Sequence, residues 1–354
     1  MHSDILIIGG GIAGVSAAAE LAPHASVILL ESEGNLAHHA SSRSAALYEP
    51  YYGPAPVVAL SLASAEALAP FLTPRGLLLV AAEGQAAEFA AESNAFHLDK
   101  ITPDHAATLF PPLDPARIRA AAHGTHASDI DTDQLLQSYA KSARAHGATL
   151  HTGHPVTALT RRPGAWTATT PRGDFTAPTL INAAGPWADE IATRAGLAPL
   201  GLTPHRRSMA RIPAPDGMDP TSWPMTFGVD ETWYAKPDAG ALIVSPADAD
   251  PTHPHDAWAD DMVLAEGLAR YEAMTRHSVT RLLSSWGGLR TFAPDGIPVF
   301  GPDPADPDFI WFAGQGGYGF QSAPAAARLV ADTVLRRPVD PALAQALTPA
   351  RFRR

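Results

Sequence analysis

The first thirty residues alternate between apolar runs and one segment of small residues. Ile5–Ile8 is an uninterrupted apolar run, which is typical of a strand buried on both faces of a sheet. Residues 12–21 are rich in alanine and favour a helix, and residues 26–30 form a second apolar run. This order predicts a βαβ unit with parallel strands at the start of the chain.

The rest of the pattern predicts a mixture of helices and strands that changes in character near residue 200. Apolar positions predict helices at 57–72, 133–146, 261–275 and 321–335, and strands at 77–81, 148–150, 156–159, 179–182 and 309–312. Residues 129–132 supply capping chemistry for the second helix, and Pro324 is expected in the first turn of the last one. Between about 200 and 284 apolar and polar residues alternate, which predicts an antiparallel sheet.

Glycines at a characteristic spacing connect the first strand to the first helix. Gly9, Gly11 and Gly14 have GxGxxG spacing, and Glu31 ends the second strand. Such glycines allow a tight turn, close approach of a pyrophosphate and close packing of helix on strand, while the acid accepts hydrogen bonds from ribose hydroxyls. The unit therefore predicts a bound dinucleotide, with FAD and NAD both open at this point and a plain βαβ unit as the alternative.

Composition excludes several classes of function. The chain has 354 residues, a net charge of -11 and no cysteine, which disfavours nucleic acid as a partner and excludes disulfides and Cys-ligated metals. No apolar run approaches the ~18 residues of a membrane-spanning helix, and no secretory signal is evident, so a cytoplasmic location is expected. The 15 histidines include no HExxH motif, and no metal site is predicted.

Three later segments also suit a flat, phosphate-bearing ligand. Residues 38–46 combine small residues and hydroxyls with Arg43, which could hold phosphate or flavin edge atoms, although an ordinary surface loop is the alternative. Residues 179–187 run from an apolar strand into small residues and a helix start. Residues 313–320 place a second glycine-rich turn before a helix, which favours FAD over NAD.

Together these pieces resemble the FAD-dependent D-amino acid oxidase-like superfamily, in the group that contains glycine oxidase, sarcosine oxidase and D-amino acid dehydrogenase. Within it the chain is most similar to bacterial catabolic D-arginine dehydrogenases. The stretches that carry the resemblance are GGGIAG with Glu31, SSRSAALYEPYYG, INAAGPWAD, DETWYAKPDAG, GGLRTFAPDG and GQGGYGFQ.

The resemblance implies an α/β fold, α+β in part, with a discontinuous Rossmann-like FAD-binding domain. That domain would comprise residues 1–74, 123–198 and 285–354. A second, substrate-binding domain on a mixed or antiparallel sheet would comprise 75–122 and 199–284.

The resemblance also implies a non-covalent FAD and a set of residues that hold it. The expected cofactor contacts are Gly9, Gly11, Ile12, Ala13, Gly14, Glu31, Ser32, Ser42, Arg43, Ser44, Ala45, Ala46, Val156, Ala183, Ala184, Gly185, Trp187, Arg290, Gly316, Gly317, Tyr318, Gly319, Phe320 and Gln321. The expected catalytic and substrate-binding residues are Tyr52, Arg207, Tyr234, Arg290 and Gly317. Arginines suit this task because a guanidinium holds a carboxylate through two parallel hydrogen bonds.

By resemblance the reaction is oxidative deamination of a D-amino acid, with hydride transfer from the α-carbon to flavin N5. Members that prefer D-arginine have a histidine and a carboxylate where this chain has Leu47 and Leu77. Apolar side chains are therefore expected to be favoured, unless Glu49 faces the pocket and selects a cation.

Several alternatives stay open at this stage. The substrate could instead be a secondary amine acid of the sarcosine or glycine type, or a 2-hydroxy acid, since the same carboxylate clamp serves all of them. A non-enzymatic dinucleotide sensor is disfavoured because it needs no such clamp. Dioxygen, a quinone or a dye could accept the electrons.

Overall fold

The structure is a computed structural model and describes residues 1–353 of the chain. Its strands, in chain order, are β1 (Ile5–Ile8), β2 (Val27–Leu30), β3 (Leu47–Tyr48), β4 (Leu72–Pro74), β5 (Leu77–Ala81), β6 (Asp99–Ile101), β7 (Ala120–Gly124), β8 (Ser128–Ile130), β9 (Thr149–His151), β10 (Ala158–Arg162), β11 (Ala165–Thr170), β12 (Gly173–Ala177), β13 (Thr179–Asn182), β14 (Thr203–Pro213), β15 (Met225–Gly228), β16 (Tyr234–Asp238), β17 (Ala241–Ser245), β18 (Asp250–Pro251), β19 (Ser284–Phe292), β20 (Val299–Pro302) and β21 (Phe309–Ala313).

The helices lie between these strands and after them. They are α1 (Ile12–Leu21), α2 (Ala55–Leu68), α3 (Ala86–Ala95), α4 (Pro103–Leu109), α5 (Thr132–Ala145), α6 (Ala188–Arg194), α7 (Asp261–Met274), α8 (Gly319–Val334) and α9 (Pro341–Leu347). Short 3-10 turns occupy Ala40–Arg43, Ala69–Phe71, Gly185–Trp187, Val229–Glu231 and Pro349–Phe352.

A six-stranded sheet carries the first glycine turn. Its order is β20-β21-β13-β1-β2-β9, and the central pairs are parallel. Alternate residues of the buried strand β1 face opposite sides, so that Ile5 and Ile7 pack with α1, α5 and α8, whereas Leu6 and Ile8 pack with β10–β12. The predicted parallel βαβ unit is therefore present and covered on both faces.

A nine-stranded sheet forms the second large layer. Its order is β18-β14-β17-β16-β15-β5-β7-β6, with β19 paired to β14. The sheet is mixed because β15 runs parallel to β5, while β14 and β19 pair antiparallel from Thr203↔Phe292 to Arg211↔Ser284. Side chains of α4 and α7 pack on one face. The other face carries Leu77, Phe227 and Tyr234.

A small three-stranded sheet of β3, β8 and β4 lies beside the two large ones. It pairs Tyr48 with Ser128 and thereby fixes the loop that follows β3. In the described part of the chain, no helix has both the length and the apolar character needed to cross a membrane.

The predicted mixed α/β fold is confirmed, with differences at element borders. The predicted bounds of α1 and β5 match the structure, and Asp131 caps α5 by accepting a hydrogen bond from Gln134 N at 2.9 Å. Helix α8 begins at Gly319, earlier than predicted, so Pro324 lies beyond the first turn and was wrongly placed there. The strand predicted at 156–159 begins at Ala158.

The division into two domains stays a prediction. Two segments at its borders pair with the nine-stranded sheet: β19, which the division assigned to the FAD-binding part, and β7, which the boundary at residue 123 would split. Both strands pair along their full length with strands of that sheet. Their backbone groups need hydrogen-bond partners, and a domain boundary inferred from the sequence pattern does not show where these partners lie.

Candidate functional site

The first glycine turn lets three backbone segments meet at the carboxyl end of β1. Gly9 has a positive φ of 112°, and a Cβ there would lie 2.3 Å from Ala183 O of the neighbouring strand end. A Cβ on Gly14 would lie 1.9 Å from Gly9 O. Any side chain at these positions would therefore push α1 or the β13 end away from the turn.

Glu31 stands at the end of β2, beside that turn. The residue is 8% exposed, and its carboxylate accepts hydrogen bonds from Gly10 N at 2.6 Å and Glu33 N at 2.8 Å. The α1 N-cap residue Gly11 provides no side-chain cap, and Ser41 Oγ accepts from Ile12 N at 3.0 Å, so an anion at this helix N-terminus would be held by the remaining amides of the first turn. The arrangement matches an acid for ribose hydroxyls next to amides for a pyrophosphate.

Two adjoining cavities run from Glu31 into the space between the sheets. The Glu31 cavity holds the glycine turn, and the Arg290 cavity holds Arg290 and the second glycine-rich turn. Six lining residues belong to both cavities: Gly11, Ala40, Ser41, Ala183, Gly185 and Pro186. The two cavities therefore form one elongated cleft.

Most predicted cofactor contacts line this cleft. On the Glu31 side they are Gly9, Gly11, Glu31, Ser32, Val156, Ala183, Ala184, Gly185 and Trp187. On the Arg290 side they are Ile12, Ala13, Arg43, Ser44, Ala45, Ala46, Arg290, Gly316, Gly317, Gly319, Phe320 and Gln321. Residues from both ends and the middle of the chain therefore converge.

Gly14, Ser42 and Tyr318, also predicted as contacts, are absent from the lining of both cavities. Gly14 acts through helix packing. The Ser42 hydroxyl donates instead to His38 O at 3.0 Å, and the Tyr318 ring packs on Tyr52. Its neighbour Ser41 does line the cleft, and the Ser41 hydroxyl accepts from Ile12 N at 3.0 Å. The run of neighbouring serines in the sequence held no signal for which one turns inward.

Arg43 lines the cleft but directs its guanidinium away from it. Nη1 donates to Ala257 O at 2.7 Å and Gly287 O at 3.2 Å, and Nη2 contacts Asp256. The predicted hold on phosphate or flavin edge atoms is therefore replaced by a tether between the loop 40–46 and the nine-stranded sheet.

A buried ionic network holds the next part of that loop. Lys236 Nζ of β16 donates to Ala45 O at 2.7 Å and lies 2.8 Å from Asp129 Oδ1. Arg75 Nε donates to Asp129 Oδ2 at 2.8 Å. Asp129, which the sequence suggested as capping chemistry, thus serves this network, and it fixes the backbone of Ala45 and Ala46 at the cleft.

Arg207, Tyr234, Arg290 and Tyr52 meet in the Arg290 cavity. Arg207 is 4% exposed, and its Nε and Nη1, like the Tyr234 hydroxyl, have no hydrogen-bond partner among residues 1–353. Buried donors of this kind are costly unless a ligand satisfies them. The neighbouring Arg206 points the other way and contacts Asp248 and Asp250.

The electrostatics of this cluster favour an anion. Burial lowers the pKa of Arg207, and the Arg290 charge lowers it further. Burial opposes the charge of Arg290, yet Tyr52, Tyr234 and Glu231 outweigh it and raise the pKa of Arg290. Burial raises the pKa of Tyr52 to about 12, so this phenol stays a neutral hydrogen-bonding group near neutral pH.

Sequence reasoning missed Glu231, whose carboxylate also lines this cavity. Its Oε2 lies 3.7 Å from Arg207 Nη1. Asp230 and Glu231 both have positive φ values, 60° and 48°, and this strained turn directs the side chain inward. A turn that depends on unusual backbone angles at non-glycine residues leaves no signal in the sequence.

Part of the lining of the Arg290 cavity is apolar. Its side chains are Leu47, Leu77, Phe96, Met209, Met225 and Phe227. Leu47 and Leu77 were predicted to face the substrate, and both do line the cavity. The floor is glycine, since a Cβ on Gly317 would lie 3.3 Å from Arg290 Cζ.

One group of potential metal ligands occurs among residues 1–353, formed by Glu33, His38 and His39. It borders the Glu31 cavity. His39 Nε2 lies 3.0 Å from Glu33 Oε1, and the His39 ring packs on Trp187 at 4.6 Å between centroids.

The cleft fits FAD by its shape and by the chemistry of its lining. Glu31 and the α1 N-terminus suit the ribose and pyrophosphate of the adenylate half. Small residues of the loop 44–46, together with Gly316, Gly317 and Gly319, line the Arg290 cavity beside the arginines and would hold the isoalloxazine. The N-terminus of α8 begins at that turn, where its dipole favours negative charge.

Comparison with known proteins supports FAD as the cofactor. The family model described as "FAD dependent oxidoreductase" (DAO) matches residues 4–333. The chain is 27% identical over 255 residues to mitochondrial dimethylglycine dehydrogenase of Mus musculus, covering 66% of this chain and 29% of that protein. It therefore spans less than a third of the length of that relative.

Two solved structures share the fold over nearly the whole chain. Glycine oxidase from Geobacillus kaustophilus superposes with a TM-score of 0.85 at 24% identity, covering 98% of each chain. L-proline dehydrogenase from P. horikoshii superposes with a TM-score of 0.86 at 22% identity, covering 99% of this chain and 98% of that one.

Proposed function

Because the chain belongs to the DAO family of FAD-dependent oxidoreductases, we propose that it oxidises the C–N bond of an α-amino acid of D configuration. The product would be an imino acid, which water converts to a 2-oxo acid and ammonia. The observation that carries the proposal is the set of unpaired donors on Arg207 and Tyr234 beside Arg290. They lie in the cavity that the second glycine turn also lines.

The side chains of this cluster would hold and orient the substrate. The guanidinium groups of Arg207 and Arg290 bind its carboxylate, and Tyr234 adds a neutral donor. Tyr52, which lines the same cavity and favours the charged form of Arg290, would help to keep that guanidinium in place. FAD, when bound, supplies the two-electron oxidation of the α-carbon. The protein contributes orientation and exclusion of water.

The cavity wall supports an apolar side chain on the substrate. Six apolar side chains face it, including Leu47 and Leu77, and burying a Leu-sized group is worth about 1.5–3 kcal/mol. The cavity also holds two carboxylates, with Glu231 Oε2 3.7 Å from Arg207 Nη1 and Glu49 Oε2 2.8 Å from His126 Nε2. Because the apolar side chains outnumber these carboxylates, we expect apolar D-amino acids to be favoured over D-arginine.

The similar proteins supply a second candidate, a glycine-like or secondary amine acid. Glycine oxidase, dimethylglycine dehydrogenase and L-proline dehydrogenase are named for such substrates. The carboxylate clamp would bind these substrates unchanged, and it would also bind a 2-hydroxy acid. The special similarity to D-arginine dehydrogenases stays a prediction, as does a cytoplasmic location.

A substrate panel tests the proposal. The FAD-loaded protein is assayed with D- and L-methionine, D-leucine, D-arginine, glycine, sarcosine, L-proline and a 2-hydroxy acid, each with dioxygen and with a dye acceptor. We expect the highest kcat/KM for the apolar D-amino acids. Highest activity with sarcosine, L-proline or the hydroxy acid would contradict the assignment of a D-amino acid as substrate. A strong preference for D-arginine would contradict the preference for an apolar side chain.

A further inference from the structure

A buried carboxylate–imidazole pair borders the Arg290 cavity and has no role in the carboxylate clamp. Glu49 is 3% exposed and lines the cavity. Its Oε2 lies 2.8 Å from Nε2 of His126, whose side chain is 28% exposed. The pair therefore reaches from the cavity to the surface.

Three elements hold this pair in place. The antiparallel register of β3 and β8, with Tyr48 opposite Ser128, brings the residue after β3 next to the residues before β8. From α8, Gln321 Oε1 accepts from Glu49 N at 3.4 Å, and Gln321 Nε2 donates to Tyr52 O at 3.0 Å. One glutamine thus fixes Glu49 and Tyr52 together at the cavity wall.

We propose that Glu49 accepts the ammonium proton of the bound substrate and that His126 passes a proton on to solvent. This step rests on the proposed amine oxidation, because the nitrogen must lose a proton before the C–N bond is oxidised. An N–H bond of the ammonium breaks and an O–H bond forms on Glu49. The proton on Oε2 then moves to Nε2 of His126, and the imidazole releases its Nδ1 proton to water.

The surroundings of the pair suit proton transfer near neutral pH. Burial raises the pKa of Glu49 to about 7, against the hydrogen bond from Tyr51 N, which lowers it. Burial lowers the pKa of His126, and so do the facing His97 and His123. A base works best when its pKa is near the operating pH.

The groups that face the pair come from every element packed on it. Tyr48 ends β3 and Tyr51 belongs to the loop of Glu49, and the Tyr51 ring packs on His126 at 5.5 Å and on His97 at 4.2 Å between centroids. His97 follows α3, and His123 lies on β7. The group from α8 is the uncharged Gln321. None of these is a lysine or arginine, so no fixed cation holds Glu49 ionised.

Anaerobic flavin reduction by D-methionine, measured from about pH 6 to about pH 10, tests the proposal. The proteins are the wild type, Glu49→Gln, His126→Gln and, as a matched control, His146→Gln, which changes an exposed histidine directly after α5. In the wild type the second-order rate should rise as pH passes about 7, where Glu49 becomes ionised, and then level off. In both pair variants this rise in rate should move toward the pKa of the substrate ammonium. Their rate at pH 7 should be lower than that of the wild type by about tenfold or more, and the difference should shrink at high pH.

Two further readouts separate proton transfer from structural effects. All variants should retain FAD, and their affinity for isobutyrate, a carboxylate without an amine, should stay within about twofold of the wild-type value. If Glu49→Gln fails to fold, His126→Gln alone must show the shift. The control should follow the wild-type profile.

Unchanged pH profiles in the folded pair variants would overturn the proposal. So would a loss in Glu49→Gln that affects D-arginine alone, since that would assign Glu49 to recognition of a cationic side chain. If the wild type oxidises no amine at any pH, it is the proposed function that fails, and that result is distinct from an unshifted profile.

Discussion

Glu31 and Arg207 are buried charges near opposite ends of the cleft. Glu31 accepts backbone hydrogen bonds beside the first glycine turn, whereas Arg207 keeps two donor nitrogens without a partner among residues 1–353. One end is therefore equipped with an acceptor for hydroxyls and the other with donors for an anion.

Replacing Glu31 should weaken FAD binding. In Glu31→Ala the ribose would lose its charge-assisted acceptor, at a cost of about 1–3 kcal/mol. The dissociation constant of FAD, measured by fluorescence titration of the stripped protein, should rise about 5- to 150-fold. Glu66→Ala, an exposed change on α2, is the control, and equal FAD affinity in the two variants would contradict this role.

Arg207 and Arg206 are adjacent in sequence but should differ in function. Arg207→Ala removes a buried donor from the carboxylate clamp. The resulting fall in kcat/KM should correspond to a loss of about 2–5 kcal/mol of transition-state stabilisation. Arg206→Ala breaks ion pairs of Arg206 with Asp248 and Asp250 and should leave kcat/KM within about threefold. Steady-state kinetics with D-methionine compare the two, and similar losses in both variants would refute the assignment.

At the scale of elements, the approach of α1 to the first glycine turn depends on Gly14. A Cβ there would meet Gly9 O at 1.9 Å, so Gly14→Ala should force the helix outward and destabilise the fold by about 1–3 kcal/mol. Gly34→Ala is the control, because its Cβ would have no neighbour within 4 Å. Thermal unfolding with and without FAD measures both; a Gly14→Ala melting temperature equal to that of the control would contradict the packing argument.

Elements that depend on local spacing could be predicted from the sequence. Helix α1, strand β5 and the glycine turns carry their signal within a few residues, so their place in the fold was foreseen. The direction of Arg43 could not be predicted, since its partners Asp256 and Gly287 come from distant segments. For the same reason the role of Asp129 depends on Arg75 and Lys236 and was misread as capping.

The same limit applies within the candidate site. The residues of the clamp were identified through family resemblance, and the structure brings them into one cavity. Glu231 and His126 reach that region through a strained turn and through strand pairing. Neither feature is encoded in the spacing of residues that a motif captures, so both residues had to come from the structure.

At the scale of the whole molecule, the cleft lies between two sheets with separate tasks. The six-stranded sheet presents the glycine turn and Glu31, while β14, β16 and β19 of the nine-stranded sheet present Arg207, Tyr234 and Arg290. The residues proposed for the adenylate half of FAD and those proposed for the substrate carboxylate therefore lie on different sheets. A change in one set of residues should leave the other function largely intact.

Anaerobic mixing of the FAD-loaded protein with D-methionine, for the wild type and Arg290→Ala, tests the central claim most directly. The wild type should lose the visible absorbance of oxidised flavin. Arg290→Ala should retain FAD, but its flavin absorbance should fall much more slowly. The activation free energy should rise by about 3–5 kcal/mol, because a buried partner of the substrate carboxylate is gone. Arg290→Lys should recover part of the rate, since an ammonium lacks the planar fork. Equal rates in the wild type and Arg290→Ala, or no loss of absorbance with any amine in the wild type, would contradict the account.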